Sequence, residues 1–308
     1  MHVYTNIDQL PAFKNAVITI GTFDGVHQGH VQIIKQLVNE ANAVDGTPVV
    51  ITFYPHPKQV IGTGKPVFIL NTPHEKYQLL HAHGITHIVC VSFNKEFAEQ
   101  SAGDYIKNFL ADKFHPHTII IGYDHRFGMD RKGDYHLLEN ESVKYGFIVK
   151  EIPEQVLKSV VISSTKIREA LHTGAIDTAN EFLGYPYSIT GKVVAGKKLG
   201  RTLGYPTANL EIADKNKLIP ALGIYAVKVR SEVVPGDFIG MMSIGTNPTV
   251  DGKERTLEVN IFDFDNDIYG TSLEVSFIKR LRNEEKFNSL EDLKEQIGRD
   301  KVEALKSF

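Results

Sequence analysis

His27 and His30 stand three residues apart in the run Gly21-Thr22-Phe23-Asp24-Gly25-Val26-His27-Gln28-Gly29-His30, which follows the apolar stretch Ala16–Ile20 and opens directly into a helical pattern. At that spacing both imidazoles can face one set of phosphates at a helix start. The glycines let the backbone approach a ligand closely, and the first helical turn offers unpaired N–H groups to an anion. An H-x-G-H element in this setting needs neither a nucleophile nor a zinc ion. Its chemistry is stabilisation of charge on an α-phosphate and on departing pyrophosphate during in-line attack. The competing reading is a glycine-rich turn carrying two solvent-facing histidines; a metal pair lacks a visible third ligand.

A second segment, Ile162-Ser163-Ser164-Thr165-Lys166-Ile167-Arg168, leads from a short strand into another helix. The hydroxyls of Ser164 and Thr165, the N–H groups around them and Arg168 one turn inside can grip a triphosphate from the opposite side. Serines at a helix start are otherwise ordinary caps. A third run, Gly200-Arg201-Thr202-Leu203-Gly204-Tyr205-Pro206-Thr207-Ala208-Asn209, lacks the spacing of a Walker A loop. Gly196, Gly200 and Gly204, with Lys197 and Lys198, can make a basic flap over ATP phosphates. Thr207 and Asn209 alternate on an extended segment, which puts both oxygens on one side and suits Mg²⁺. The plain alternative is a strand with ordinary polar residues. Asp263, Asp265 and Asp267 suggest a calcium loop, but the required glycine and distal glutamate are misplaced, so they read as turn residues.

The elements that must position these groups fall into two sets. Apolar runs at 16–20, 48–53, 87–93, 118–124 and 146–152 alternate with helical patterns at 30–43, 73–83, 101–112 and 133–145. Strands alternating with helices, in near-continuous Val/Ile runs, predict a parallel sheet covered on both faces. One helix is predicted from Thr165 to about Phe182, ending at the turn Leu183-Gly184-Tyr185-Pro186. Short strand patterns separated by Gly, Asn and Pro follow, predicting a compact antiparallel barrel. Ser289 then caps a terminal helix with Leu290, Leu293 and Ile297 on one face. The resulting division is an α/β domain over 1–182 and a β-barrel with a C-terminal helix over 183–308.

Bulk properties narrow the function. The 308 residues are 42% hydrophobic and 23% charged, as in an ordinary globular protein, and fit about two domains. A net charge of -3 gives no footprint of a nucleic-acid binder. The single cysteine, Cys90, excludes an intramolecular disulfide and a cysteine-based zinc site, and its apolar surroundings predict a buried strand residue. Neither a signal peptide nor an apolar stretch of membrane-spanning length is visible, so the expectation is a cytoplasmic enzyme without a membrane partner. A homo-oligomer is left open.

With these motifs in hand, the chain resembles the prokaryotic bifunctional riboflavin kinase/FMN adenylyltransferase (FAD synthetase) family over about residues 16–300. G-T-F-D-G-V-H-Q-G-H, I-S-S-T-K-I-R, Thr52–Pro57 and Gly122–Gly128 match its nucleotidylyltransferase half, which implies a Rossmann-like fold. G-R-x-L-G-x-P-T-A-N is the hallmark of its kinase domain, followed in order by Gly223–Ala226, Ser243–Thr249, Thr256–Phe264 and Leu281–Phe287. The family usually has phenylalanine at His125 and histidine at Asn260.

The resemblance implies ATP-dependent phosphorylation of riboflavin to FMN, then adenylylation of FMN to FAD, with Mg²⁺ as cofactor. It implies His27, His30 and Arg168 as catalytic in the second reaction, with Gly21, Phe23, Asp24, Gly25, Gly29, Pro55, His56, Asp124, Arg126, Ser164 and Thr165 binding ATP or FMN. For the kinase it implies Glu258 as the base, Lys198, Gly200, Gly204, Pro206 and Arg282 as ligand contacts, and Thr207 and Asn209 as metal ligands. Without the resemblance, His56 is an exposed loop histidine and Glu258 a solvent-facing strand charge. The alternative is a monofunctional FMN adenylyltransferase with a non-catalytic flavin-binding barrel. A tRNA-charging protein lacks a basic face, and a flavin storage protein leaves two phosphate motif sets unexplained.

Overall fold

The computed structural model describes residues 1–62, 66–152, 162–196, 199–249 and 252–308, which form two compact units, Met1–Ser164 and Thr165–Phe308.

In the first unit, strands β1 (His2–Tyr4), β2 (Val17–Ile20), β3 (Pro48–Tyr54), β4 (His87–Ser92), β5 (Thr118–Gly122) and β6 (Ile148–Ile152) form one parallel sheet in the order β1-β4-β3-β2-β5-β6. The Val/Ile runs have the predicted cause. Ile18, Ile51 and Val89 feed one core while their neighbours Val17, Val50 and Ile88 feed another, so successive side chains serve opposite faces of the sheet. Helix Gln28–Ala43 covers one face through Ile34, Leu37 and Ala41. Strand order reverses at β2, with β3 on one side and β5 on the other. The loops leaving the carboxyl ends of β2 and β5 therefore flank the topological switch point, where open α/β sheets bind ligands.

In the second unit, β7 (Ser188–Val194), β8 (Ala208–Glu211), β9 (Gly223–Ser231), β10 (Asp237–Thr249), β11 (Gly252–Ile261) and β12 (Ser272–Arg282) close into a barrel in the order β10-β11-β8-β7-β12-β9, every pair antiparallel. Burial alternates along β7 and β12, as a one-sided core requires. Helix Leu290–Leu305 packs on the barrel, and Ser289 caps it by accepting from the Asp292 N–H at 3.0 Å.

Four local readings change. β1 was not foreseen: three residues are too short to show a period. The helix expected at 101–112 runs from Ala102 to Phe114 with a π-helical stretch over Tyr105–Ala111. The single helix expected from Thr165 to Phe182 is two, Ser164–Thr173 and Ile176–Leu183. Gly174 breaks it at φ +78°, where a side chain would run into the Arg280 guanidinium. Leu290 is exposed rather than on the inward face of its helix, which is carried by Ile297 and Ala304.

Candidate active sites

The first site is built on the turn between β2 and helix Gln28–Ala43. This turn takes unusual backbone conformations: Phe23 at φ 47°, Gly25 at φ 91° and Val26 at φ 35°. Positive φ at a phenylalanine and a valine is strain that neighbouring contacts must hold, and such strain clusters at functional sites. Asp24 supplies one restraint. It is buried, and its carboxylate accepts the Leu70 N–H at 2.9 Å and the Asn71 N–H at 3.2 Å. Ser164 supplies another by donating from Oγ to the Asp24 carbonyl at 2.8 Å. Phe23 is part of the core, with its ring 5.1 Å from that of His30. Asp24 and Phe23, expected as ligand contacts, thus shape the turn from inside.

His27 caps the helix: its Nδ1 accepts the His30 N–H at 3.4 Å, and the two imidazoles stack at 3.7 Å between centroids. His27 is buried, not solvent-facing. Gly29 packs against it, because a Cβ there would lie 3.2 Å from the imidazole. Burial, then His27 and Lys76, hold the His30 imidazole well below its ordinary titration range, which keeps it neutral at pH 7. Its Nδ1 is buried with no hydrogen-bond partner. Gly21 continues the sheet by donating to the Ile51 carbonyl at 3.0 Å.

Lys76, on helix Pro73–Ala82, is a buried group that sequence reasoning missed. Its Nζ donates to the Thr22 carbonyl at 2.9 Å and to Thr52 Oγ1 at 3.1 Å. The available signal was its place one turn before the buried Leu80 on the inward stripe.

After β3, Pro55 follows a cis peptide bond and His56 starts a short helix. His56 is buried, which corrects the reading as an exposed loop histidine; its Nδ1 accepts the Lys58 N–H while Gln59 Oε1 accepts the His56 N–H. After β5, Asp124 and Arg126 are exposed and Arg126 donates to the His125 carbonyl at 3.1 Å. His125 is partly exposed, yet its Nε2 is buried without a partner, and burial followed by Arg126 and Arg131 pushes its imidazole down to about 4. Gly128, at φ +70°, lies against the Ala102 backbone, where a Cβ would approach within 2.7 Å. Thr165 is exposed and Arg168 partly exposed on the helix continuing from Ser164.

The second site is carried by strands β8 and β11 of the barrel. Asn209 on β8 is the register partner of Glu258 on β11, and the Thr207 hydroxyl donates to Glu258 Oε2 at 3.1 Å. Directly opposed residues of an antiparallel pair project to the same face. The expected metal ligands and the expected base are therefore assembled in one place. Thr207 also lines a cavity of about 310 Å³ with Arg201, Pro206, Val259, Ile268 and Tyr269.

Glycines set the close approaches here. A Cβ at Gly196 would collide with the Asn209 side chain, one at Gly200 with the Tyr205 carbonyl, and Gly204 turns at φ +85°. Asn260, buried, donates to the Pro206 carbonyl at 2.6 Å and so fastens the residue before Thr207. Lys198 lies outside the described residues. The Arg282 guanidinium is paired within the fold: Nη2 and Nε reach Asp300 at 2.7 and 2.9 Å, and Nη1 donates to the Asn283 carbonyl.

Comparison with known proteins gives one consistent picture. Residues 10–166 match the family model for FAD synthetase, and residues 183–308 match that for riboflavin kinase. The bifunctional riboflavin kinase/FMN adenylyltransferase of Escherichia coli K12 is 37% identical over 98% of this chain and 96% of its own. That of Bacillus subtilis is 37% identical over 95% and 92%. Among solved structures, a macrolide-efflux protein from Streptococcus pneumoniae, so titled, superposes with a TM-score of 0.86 at 31% identity, covering 98% of this chain and 97% of that one. No helix among the described residues is long and apolar enough to cross a membrane.

Proposed function

The chain belongs to the bifunctional riboflavin kinase/FMN adenylyltransferase family, and we propose that its two reactions are divided between the two sites described above. It phosphorylates riboflavin to FMN and adenylylates FMN to FAD, consuming ATP in each reaction.

The kinase reaction belongs to the barrel. The primary hydroxyl of the ribityl chain forms a bond to the γ-phosphorus of ATP, the γ-phosphorus–oxygen bond to ADP breaks, and Glu258 accepts the hydroxyl proton. Thr207 orients the carboxylate by its hydrogen bond. The Thr207 hydroxyl and the Asn209 side-chain carbonyl are hard, neutral oxygen donors beside a carboxylate, a set that fits Mg²⁺ with coordination positions left for phosphate and water. Bound there, the ion supplies neutralisation of phosphoryl charge. Gly196, Gly200 and Gly204 let the backbone close on the phosphates, Lys198 adds charge, and Pro206 places Thr207.

The adenylyl reaction belongs to the β2 turn. A phosphate oxygen of FMN forms a bond to the α-phosphorus of ATP while the bond to pyrophosphate breaks. His27 and His30 stabilise the charge that moves onto the departing group, with Ser164, Thr165, Arg168 and the N–H groups of the helix start. Gly21, Gly25 and Gly29 give the polyphosphate close access. The loops at Pro55–His56 and Asp124–Arg126 receive the remainder of the nucleotide and the flavin.

We place the functional boundary between residues 182 and 183. The protein acts in the cytoplasm on small molecules alone, without nucleic acid.

The observation that carries this reading is the meeting of Thr207, Asn209 and Glu258, since a barrel that only binds flavin has no use for a carboxylate assembled with two hard, neutral oxygen donors. A chromatographic time course with riboflavin, ATP and Mg²⁺ tests it. The parent chain makes FMN and then FAD. Glu258→Ala stalls at riboflavin but converts supplied FMN, and the double variant His27→Ala/His30→Ala stops at FMN. Formation of FMN by Glu258→Ala at the parental rate sinks the assignment of the base.

A further inference from the structure

Lys76 is not part of any motif noted in the sequence, yet it is a buried cation bonded to the residue from which the strained turn of the first site departs. The side chain comes from helix Pro73–Ala82 and is 6% exposed. Its Nζ and Thr52 Oγ1 both donate to the same acceptor, the Thr22 carbonyl, at 2.9 and 3.0 Å, and Nζ also reaches Thr52 Oγ1 at 3.1 Å. The residue after Thr22 is Phe23, the first of three in the turn with positive φ. Lys76 therefore pins the backbone just before it departs from ordinary geometry.

The charge is the second part of the observation. Among the described residues Lys76 makes no ion pair, and a buried ammonium without a counter-ion is costly. Asp24 is the acid that most favours its charged form, while the same carboxylate also accepts the Leu70 and Asn71 amides. Burial consequently lowers the Lys76 titration point, with Asp24 and Cys90 opposing the shift. The Lys76 charge also acts on His30, as does the neighbouring His27. A cation so placed, bonded to a turn that leads into two imidazoles and a helix N-terminus, is balanced only in part by Asp24 and would be balanced further by a polyphosphate.

We propose that Lys76 is a positioning residue for adenylyl transfer, fixing the Thr22 carbonyl and hence the Phe23–His27 turn, with the polyphosphate of bound ATP as its counter-ion. This rests on the reading of His27 and His30 as the phosphate-facing pair.

Full-length Lys76→Met, Lys76→Arg, Thr52→Val and His30→Ala test it. Adenylylation of supplied FMN is measured against ATP concentration, and riboflavin phosphorylation by the same preparations and thermal unfolding report on folding. Lys76→Met is expected to lower kcat for adenylylation about 100-fold, the scale of losing one preorganised electrostatic contact, with kinase activity intact. Lys76→Arg keeps the charge and is expected to recover activity to within about tenfold of the parent. Thr52→Val keeps Lys76 and its charge and is expected to lose less than Lys76→Met. Parental kcat in Lys76→Met overturns the proposal. So does an equal loss in Lys76→Met, Lys76→Arg and Thr52→Val accompanied by a lowered unfolding temperature, since that pattern belongs to packing alone. If His30→Ala keeps parental adenylylation, the phosphate reading of the histidine pair fails and takes the proposal with it. If His30→Ala loses activity and Lys76→Met does not, Lys76 alone is misassigned.

Discussion

Glu258 and Asn209 face each other across the β8–β11 ladder, and Thr207, next but one to Asn209, donates its hydroxyl to the Glu258 carboxylate at 3.1 Å. The three side chains have separable roles in the proposed kinase site. Asn209→Ala removes a metal donor and leaves the carboxylate, so the Mg²⁺ concentration giving half-maximal phosphorylation should rise by about 10- to 100-fold. Glu258→Gln leaves the donors and removes the base, so the rate should fall by about 10²- to 10⁴-fold at every Mg²⁺ concentration. A Mg²⁺ titration of riboflavin phosphorylation separates the two; identical Mg²⁺ curves for parent and Asn209→Ala would exclude Asn209 as a ligand.

Gly196 is the close neighbour of Asn209: a Cβ at this position would overlap the Asn209 amide. Gly196→Ala must displace either the backbone or that amide, so phosphorylation should fall by at least about tenfold, a loss of 1.4 kcal/mol or more in transition-state stabilisation. FMN adenylylation, located in the other unit, should be unchanged. Parallel assays of the two reactions on one preparation decide this.

How much of this was legible follows from what each element buries. The first five long strands were visible because a parallel sheet covered on both faces leaves continuous Val/Ile runs, as at Val49–Ile51 and Ile119–Ile121. The helix start at His27 was visible because glycines and histidines lie at the strand-to-helix junction. The pairing of Asn209 with Glu258 was not, since barrel register is a long-range property with no local pattern. Nor were the bonds of the Asp24 carboxylate to two backbone amides, which only the fold brings within reach. Lys76 and His56 escaped for one reason: polar residues are expected outside, and only tertiary partners show why these two are buried. The Gly174 break escaped because Gly within a helical pattern is often tolerated; the left-handed backbone at φ +78° is what demands it.

His125 gives the first unit an acid sensitivity of defined sign. Its imidazole is pushed down to about 4, first by burial and then by Arg126 and Arg131, against about 6.5 in the unfolded chain. Between those values the unfolded chain binds the proton and the folded one does not. Its stability contribution is therefore complete above about 6.5 and is lost as pH falls toward about 4. His30, shifted in the same direction, acts with the same sign. Urea unfolding of the first unit should show a falling midpoint from pH 7 to pH 5, and His125→Phe should show a smaller fall. An equal fall in both would mean that another group titrates.

Arg282 joins the last barrel strand to the terminal helix through Asp300. As part of the family resemblance it was expected to touch ligand, yet its guanidinium spans Asp300 on the terminal helix, with side chains 16% and 6% exposed. Gln296 donates to the same carboxylate at 2.9 Å, and the Phe287 ring lies 5.6 Å from the guanidinium carbon. Removing one member of a buried pair leaves the other uncompensated and costs about 3–5 kcal/mol. Asp300→Ala should then destabilise the barrel by that order and match Arg282→Ala, and the double variant should lose less than the sum of the two. Below the unfolding transition, a KM for riboflavin and ATP that rises equally in both single variants fits an Arg282 that serves the fold through the terminal helix. A rise in Arg282→Ala alone assigns it a direct contact with substrate.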